Sequence, residues 1–266
     1  MFFELEKNDF EKVLPLYLRE GIIFPLILAV IRRNQRGRVF VNDPGHPTSA
    51  IVVTKFGFVQ HMGAEEYDNN LIDFFNSSRN LLPSYLLWYS PPPYAQKLLD
   101  EFPQHIRRRE RVRFTFETQN IEDPVQCPDG FTARYLEKET MERISHLKLD
   151  IGSRFWASIN EFLEHGIGAC VMKGHDVISV CYSACIADNL AEIDISTQDE
   201  FRGMGLATIA AQHFIEKCIQ KGIKPTWDCF VNNSASMRLA NRLRFTQTVV
   251  YPFYSFTTPL RIPDNN

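Results

Sequence analysis

Apolar residues along this chain alternate between helical spacing and two-residue spacing, and the switches mark out its elements. In the first half, helical spacing predicts helices over Phe10–Arg19 and Phe24–Arg33. The longest apolar run, Gly21–Ile31, is closed by Glu20 before it and Arg32–Arg33 after it. A membrane-crossing helix needs about 20 such residues, so this shorter run reads as a buried helix. Strands are predicted at Arg38–Val41 and Ser49–Val59, bridged by the turn-forming Asn42-Asp-Pro-Gly-His-Pro47. A helix at Asn70–Ser77, a strand at Tyr85–Tyr89 stopped by Pro91-Pro92-Pro93, a helix at Tyr94–Phe102 and a strand at Arg107–Phe116 complete this half. In the last strand Arg107, Arg109, Arg111 and Arg113 share one parity, opposite Ile106, Arg108, Glu110, Val112, Phe114 and Phe116. Such a row reads as a solvated or ion-paired face, with anion binding as the alternative.

The second half opens on a strand at Phe131–Leu136 and helices at Glu139–Leu147 and Ser153–Glu164. Strands at Gly168–Met172 and Val177–Ala187 form a hairpin about Lys173-Gly-His-Asp176, and Asp188-Asn189 turns the chain into a strand at Leu190–Thr197. A long helix then carries Leu206, Ala210, Phe214 and Cys218 on one stripe, and Gly222 and Pro225 end it. Thr226–Val231 reads as a strand and Ser234–Leu243 as a helix. Thr246–Tyr251 and Phe253–Phe256 read as strands broken by Pro252.

Both halves run helix, helix, hairpin, strand-to-helix unit, strand, helix, strand, without a residue-level repeat. Between them, Thr118–Gly130 is polar, holds two prolines and ends on Asp-Gly. It reads as a linker, giving an N-terminal α/β domain over 1–117, a linker over 118–130 and a C-terminal domain over 131–266. The chain has 266 residues, 44% hydrophobic and 23% charged, with a net charge of −3. That balance argues against intrinsic disorder and against a globally basic nucleic-acid binder. The N-terminus Met-Phe-Phe-Glu-Leu-Glu-Lys lacks the pattern of a secretory leader, so the expected location is cytoplasmic, with no membrane partner. Six cysteines show no C-x-x-C spacing, and the histidines form no metal triad. The cysteines therefore read as reduced core thiols and no metal is expected. Cys181 and Cys185 share a parity, which predicts that both face one side of their strand.

The chemistry concentrates in Ala191–Ala207. A strand delivers the chain into Arg202-Gly203-Met204-Gly205 and a helix starts at once. Glycines permit unusual backbone angles, successive N–H groups converge, and the helix adds its unpaired N–H groups and positive dipole end. A pyrophosphate suits such a site. Asp199 and Glu200 oppose it and Arg202 offsets one of them; a glycine pair here is otherwise a structural turn. Downstream, Asn233 opens an amphipathic helix that Phe245 closes, which in isolation reads as an N-cap and a core aromatic.

Taken together, the two segments resemble the GNAT superfamily of acyl-CoA N-acyltransferases. The family's Q/R-x-x-G-x-G/A loop falls on Glu200, Gly203 and Gly205, followed by Leu206-Ala207; its later Asn…Gly-Phe pattern falls on Asn233 and Phe245. The resemblance covers Phe131 to about Phe256, and Trp227-Asp-Cys229 is similar to a bacterial subgroup with an extra N-terminal half. Glu200 departs from Gln/Arg, Ala240 stands where many members place a tyrosine, and Arg244 replaces the glycine before Phe245. No such loop lies between Phe58-Val59 and Asn70, so a first half of this fold would lack acyl-CoA binding.

The resemblance implies an α/β (α+β) fold with a central mixed, mostly antiparallel sheet flanked by helices. It implies transfer of an acetyl or other acyl group from acetyl-CoA to an amine, directly in a ternary complex. The pyrophosphate would sit on the N–H groups of Arg202, Gly203, Met204, Gly205, Leu206 and Ala207. The pantetheine would run along Ile195, Ser196 and Thr197, where two strands of the fold splay, and Asn233 would bond it. A carboxylate of Glu192 or Asp194 would take the amine proton, with solvated strand residues as the alternative reading of both. A main-chain N–H near Ile195 would serve as oxyanion donor. Tyr251 and Tyr254 are the nearest replacement acids for the missing tyrosine. The expected partners are an acyl-CoA, a small amine acceptor and a second copy of the chain. A non-catalytic acyl-CoA sensor or interaction module is the alternative.

Overall fold

The computed structural model describes residues 1–63, 69–78, 80–90, 92–118, 121, 124–144 and 151–257. The chain begins with β1 (Phe3–Glu4), a 3-10 turn (Lys7–Val13), α1 (Leu14–Tyr17), α2 (Pro25–Ile31), β2 (Gly37–Val41), β3 (Ser49–Thr54) and β4 (Phe58–Gly63). It continues through α3 (Asn69–Ser77), β5 (Tyr85–Tyr89), α4 (Pro92–Glu101) and β6 (Arg107–Thr115). Next come β7 (Phe131–Tyr135), α5 (Lys138–Met141), α6 (Ile151–Arg154), α7 (Ile159–His165), β8 (Gly168–Lys173), β9 (Asp176–Ala187) and β10 (Leu190–Thr197). A 3-10 turn (Asp199–Phe201), α8 (Leu206–Gln220), β11 (Lys224–Phe230), α9 (Ser234–Arg242) and β12 (Thr246–Thr257) follow.

The elements form two compact units, Met1–Arg111 with Tyr251–Asn266, and Val112–Val250. The division falls inside β6 and β12, so the stretch Thr118–Gly130 belongs to the second unit. In the first unit the strand order is β1-β2-β3-β4-β5-β12, and in the second it is β6-β11-β10-β9-β8-β7. Each is a run of antiparallel neighbours ending in one parallel pair, β4–β5 in the first and β10–β11 in the second. Each is completed by a strand that lies, in sequence, with the other half. A domain of residues 131–266 thus omits the Val112–Thr115 end of β6, which packs in the core of the second unit.

Several elements differ from the pattern reading. Ser49–Val59 is not one strand: the chain turns at Lys55–Gly57, where the Gly57 N–H reaches Thr54 O at 3.1 Å, and gives β3 and β4. Both strands are almost wholly buried, so polarity does not interrupt the apolar run. Ser153–Glu164 is two short helices, because Ser158 caps α7 by accepting the Glu161 N–H. β12 runs through Pro252 unbroken. Its ladder to β5 covers only Tyr254–Thr257, so that ladder does not need the donor Pro252 lacks. The Glu139–Leu147 helix appears as α5, and residues 145–147 lie outside the described residues. The apolar run forms α2, every residue of which is buried.

The core of the second unit joins Val112, Phe114 and Phe116 of β6 and its continuation to one face of α8 (Leu206, Ile209, Ala210, Phe214, Cys218) and to Ala240, Leu243 and Phe245. Burying this apolar stripe, about 25 cal/mol for each Å² removed from water, positions α8 against the sheet. Of the arginine row, Arg113 pairs with Asp228 of β11, its Nη2 and Nε both donating to Oδ2, at 2.8 and 3.0 Å. Arg111 donates to Tyr251 Oη at 3.2 Å and lies over the Phe253 ring. This end of the row is therefore an ion-paired and stacked face. All six cysteines are unbridged, and all but Cys127 are buried. Burial pushes the Cys170 thiol up to about 12.

The first unit buries a polar chain across β3, β4 and β5. His61 Nε2 meets Ser49 Oγ and its Nδ1 meets Ser90 Oγ, both at 3.1 Å. Burial drives the imidazole pKa down to about 3. An unfolded histidine titrates near 6.5, so between these values the unfolded chain binds a proton that the native one refuses. The stabilisation is complete above pH 6.5 and is lost as pH falls, by about 1.4 kcal/mol per unit. Urea unfolding at pH 4.5 is expected to give about 2–3 kcal/mol less stability from this group than at pH 7. His61→Gln, with nothing to protonate there, should lose correspondingly less over the same range.

Candidate functional site

The site is built where β10 ends. Beyond Thr197, Gln198 anchors the chain twice: its N–H donates to Ile178 O at 2.9 Å and its Nε2 to Val177 O at 2.7 Å. The 3-10 turn follows, and then Arg202 in extended conformation. Gly203 and Gly205 have φ of +85° and +81°, a region costly for residues with a Cβ. Gly205 is the N-cap of α8, which has no side-chain cap. Among the described residues, no acceptor meets the N–H groups of Gly203, Met204, Gly205, Leu206 or Ala207. These donors lie in one run at the positive end of a 15-residue helix. Met204 is exposed and Leu206 is buried as the first core residue of α8. Arg202 Nη2 lies 2.7 Å from Asp199 Oδ1, so one of the two acids before the loop is partly neutralised.

β10 and β11 are paired in parallel only at Leu190↔Lys224, Ala191↔Pro225 and Glu192↔Thr226. At that level the β9–β10 ladder shifts: Glu192 opposes Cys185, but Ile193 opposes Ser183, leaving Ala184 as an extra residue on β9. A bulge of this kind bends a strand and increases its twist. Past it Ile193, Ile195, Ser196 and Thr197 continue against β9, without a ladder to β11. Ser179 Oγ fixes the end of the strand, 2.7 Å from Thr197 Oγ1 and 3.3 Å from Ser196 O. The bulge also reverses a parity. Cys181 joins the α8-side core, opposite Ile195, whereas Cys185 opposes Glu192 on the other face. The two thiols therefore face opposite sides, not one side as their spacing predicts.

The two carboxylates have different surroundings. Glu192 is buried, and Thr226 Oγ1 donates to its Oε2 at 2.8 Å. Asp194 has a side chain 30% exposed. Its Oδ2 accepts from Tyr182 Oη at 2.6 Å and its Oδ1 from the Ile195 N–H at 3.1 Å. The Ile195 N–H suggested as an oxyanion donor is thus taken by its neighbour's carboxylate. Burial, and then the negative charge of Asp194, raise the Tyr182 pKa far above that of an ordinary phenol, so Tyr182 stays a donor.

Asn233 is the N-cap of α9, its Oδ1 accepting the Ser236 N–H at 3.1 Å. Ser236 Oγ in turn accepts from Trp227 Nε1 at 2.9 Å, tying the start of α9 to β11. Ala240 is fully buried against the α8 core. Arg244, where the resembling family has glycine, has φ +65° as the helix closes. A cavity lined in part by Phe116, Ile215, Arg242 and Arg244 lies at this closing end of α9, away from Asn233. Tyr251 and Tyr254 belong to the first unit, where Tyr251 packs on Phe24 and Tyr89 and Tyr254 on Trp88. Among the described residues no His, Cys, Asp and Glu group could hold a metal ion, and no helix is long and apolar enough to cross a membrane.

Sequence reasoning missed Tyr182, Thr226 and Arg154. Tyr182 meets Asp194 only through the bulged register, and Arg154 Nη1 lies 3.7 Å from Asp194 Oδ2 across a large sequence separation. The Thr226 contact was readable had β10 and β11 been aligned in parallel.

Residues 20–254 match the GNAT acetyltransferase family model. The chain is 25% identical over 231 residues to an uncharacterized N-acetyltransferase of Bacillus subtilis (strain 168), YdfB, covering 86% of this chain and 88% of that one. Among solved structures, it is similar to a GCN5-related N-acetyltransferase-like protein from Streptococcus suis 89/1591. The TM-score is 0.71 at 18% identity, over 94% of this chain and all of that one. It is also similar to a tandem GNAT protein from the clavulanic acid biosynthesis pathway, with TM-score 0.68 at 11% identity over 97% and 98% of the two chains.

The positive φ of Arg244 gives a direct test of the local geometry. Arg244→Gly is expected to stabilise the chain by roughly 1 kcal/mol in urea unfolding, because a left-handed backbone costs a residue with a Cβ about that much. Arg244→Val should destabilise it.

Proposed function

The chain belongs to the GNAT acetyltransferase family, and from that premise we propose that it transfers an acetyl group from acetyl-CoA to the amine of a small acceptor. The observation that carries this reading is the run of unpaired N–H groups at Gly203–Ala207, which follows a strand whose parallel ladder to β11 ends after Glu192. The pyrophosphate of the donor binds the N–H groups of Gly203–Ala207, where backbone donors and the helix end favour anions; the Arg202 N–H expected to join them is taken by Asp199 O at 3.3 Å. The pantetheine lies along Ile195–Thr197 in the gap beside β10. The Asn233 side chain, whose Oδ1 serves the α9 cap, offers its amide NH₂ as donor to the ligand.

In the ternary complex the neutral amine attacks the thioester carbonyl. A carbon–nitrogen bond forms, the carbon–sulfur bond breaks, the nitrogen releases its surplus proton to solvent and the leaving thiolate takes a proton from solvent. An alkylamine with a pKa near 10 arrives protonated, so a carboxylate must accept a proton. Of the two acids on β10, Asp194 is the one we assign to this role. It is accessible and is held by Tyr182, whereas Glu192 is buried under Thr226. Glu192 secures the last rung before the strands part. Ala240 leaves no hydroxyl at the position where many relatives carry one.

Calorimetric titration should show acetyl-CoA binding to the wild-type chain. A Cβ at Gly203 meets no atom within 4 Å, so a substitution there strains φ without a clash. Gly203→Ala is therefore expected to bind a few-fold more weakly, and Gly203→Asp, which adds a charge, at least tenfold more weakly. Equal binding by all three would remove the loop from donor recognition. In an acceptor screen read by CoA release, Asp194→Asn should lower kcat by about 10²-fold or more, with acetyl-CoA affinity little changed. Tight acetyl-CoA binding with no CoA release from any amine would leave a sensor instead of an enzyme.

A further inference from the structure

Beside Asp194 stands a cation that acyl transfer itself does not call for. Arg154, the last residue of α6, has its guanidinium carbon 4.8 Å from the centroid of the Phe155 ring. Its Nη1 is 3.7 Å from Asp194 Oδ2, a charge contact too long for a hydrogen bond. Among the described residues no acceptor lies within hydrogen-bond reach of this guanidinium. Its side chain is 55% exposed.

Both charges rest on a rigid apolar base. Phe155 is buried and lies 6.3 Å from Tyr182, ring to ring; Tyr182 also packs on Phe162 and holds Asp194 at 2.6 Å. An arginine laid on an aromatic face keeps its fork of donors oriented. The surface therefore presents an anion and a cation side by side, each with hydrogen-bonding capacity left over. A molecule with an ammonium and a carboxylate on one carbon presents the complementary pair.

We propose that Arg154 and Asp194 form a recognition site for a zwitterionic acceptor, an amino acid whose carboxylate is gripped by Arg154 while its amine meets Asp194. The proposal rests on the reading of Asp194 as the carboxylate that faces the acceptor. Arg154 selects the substrate by binding its carboxylate and takes no part in proton transfer. Arginine suits this task because its planar donors match a carboxylate two at a time.

The test measures acceptor binding without any acyl donor. Wild-type protein is titrated calorimetrically with phenylalanine against phenethylamine, and with lysine against 1,5-diaminopentane. At least one amino acid is expected to bind ten- to a hundredfold more tightly than its decarboxylated partner. Arg154→Gln should bring that pair to equal affinity, and Arg154→Lys should restore part of the preference. Equal affinity in the wild type, a preference that survives Arg154→Gln, or no measurable binding of either amino acid overturns the proposal. Titration of the same protein with acetyl-CoA reports on the donor loop separately. Failure there counts against the proposed reaction, and the acceptor titration still decides the zwitterion site.

Discussion

The structure of the second unit turns on one irregularity, the extra residue Ala184 in β9 opposite the Glu192–Ile193 step of β10. Three features share that level of the sheet. The parallel ladder to β11 ends after Glu192. Tyr182 comes onto the face of Asp194 and holds it. Cys181 and Cys185, four residues apart, face opposite sides, one toward α8 and one beside Glu192. A bulge costs a regular rung of hydrogen bonding and returns curvature and a redirected side chain.

The first unit offers an internal comparison. Its parallel pair, β4–β5, also has three rungs, Phe58↔Leu87, Val59↔Trp88 and Gln60↔Tyr89, but the adjoining β3–β4 ladder runs without a shift. The last rung holds Gln60 where the second unit holds Glu192, and its amide donates to Ile22 O. The following residue, His61, is closed between two serines and kept neutral. The frame is repeated, while the residues at the corresponding rung serve the core.

What could be read in the sequence was local. Gly203, Gly205 and Asn233 announce themselves because a loop feeding a helix and an N-cap each depend on a few consecutive residues, and all three occupy the predicted positions. The apolar run that became α2 was legible for the same reason. What escaped depends on partners distant in the chain. Neither the register of β9 against β10 nor the pairing of Arg113 with Asp228 leaves a trace in spacing. Ser49–Val59 looked like one strand because both β3 and β4 are buried on both faces and show no alternation to interrupt. The identity of residue 244 hid its geometry, since arginine gives no sign of a left-handed backbone.

The assignment of β6 and β12 also governs how the chain can be made. During synthesis β6 emerges more than 100 residues before β11, the strand it lies beside in the second unit. Until then Val112, Phe114 and Phe116 have no core to enter. The outer edge of β5 waits longer, for β12, which follows every other strand. Most multidomain chains complete the leading domain while the rest is still on the ribosome. Here neither sheet can close in that order. Nascent chains carry open strand edges through most of translation, a state prone to edge-to-edge pairing. The organisation therefore places closure of both sheets late in synthesis, once β11 and β12 have emerged.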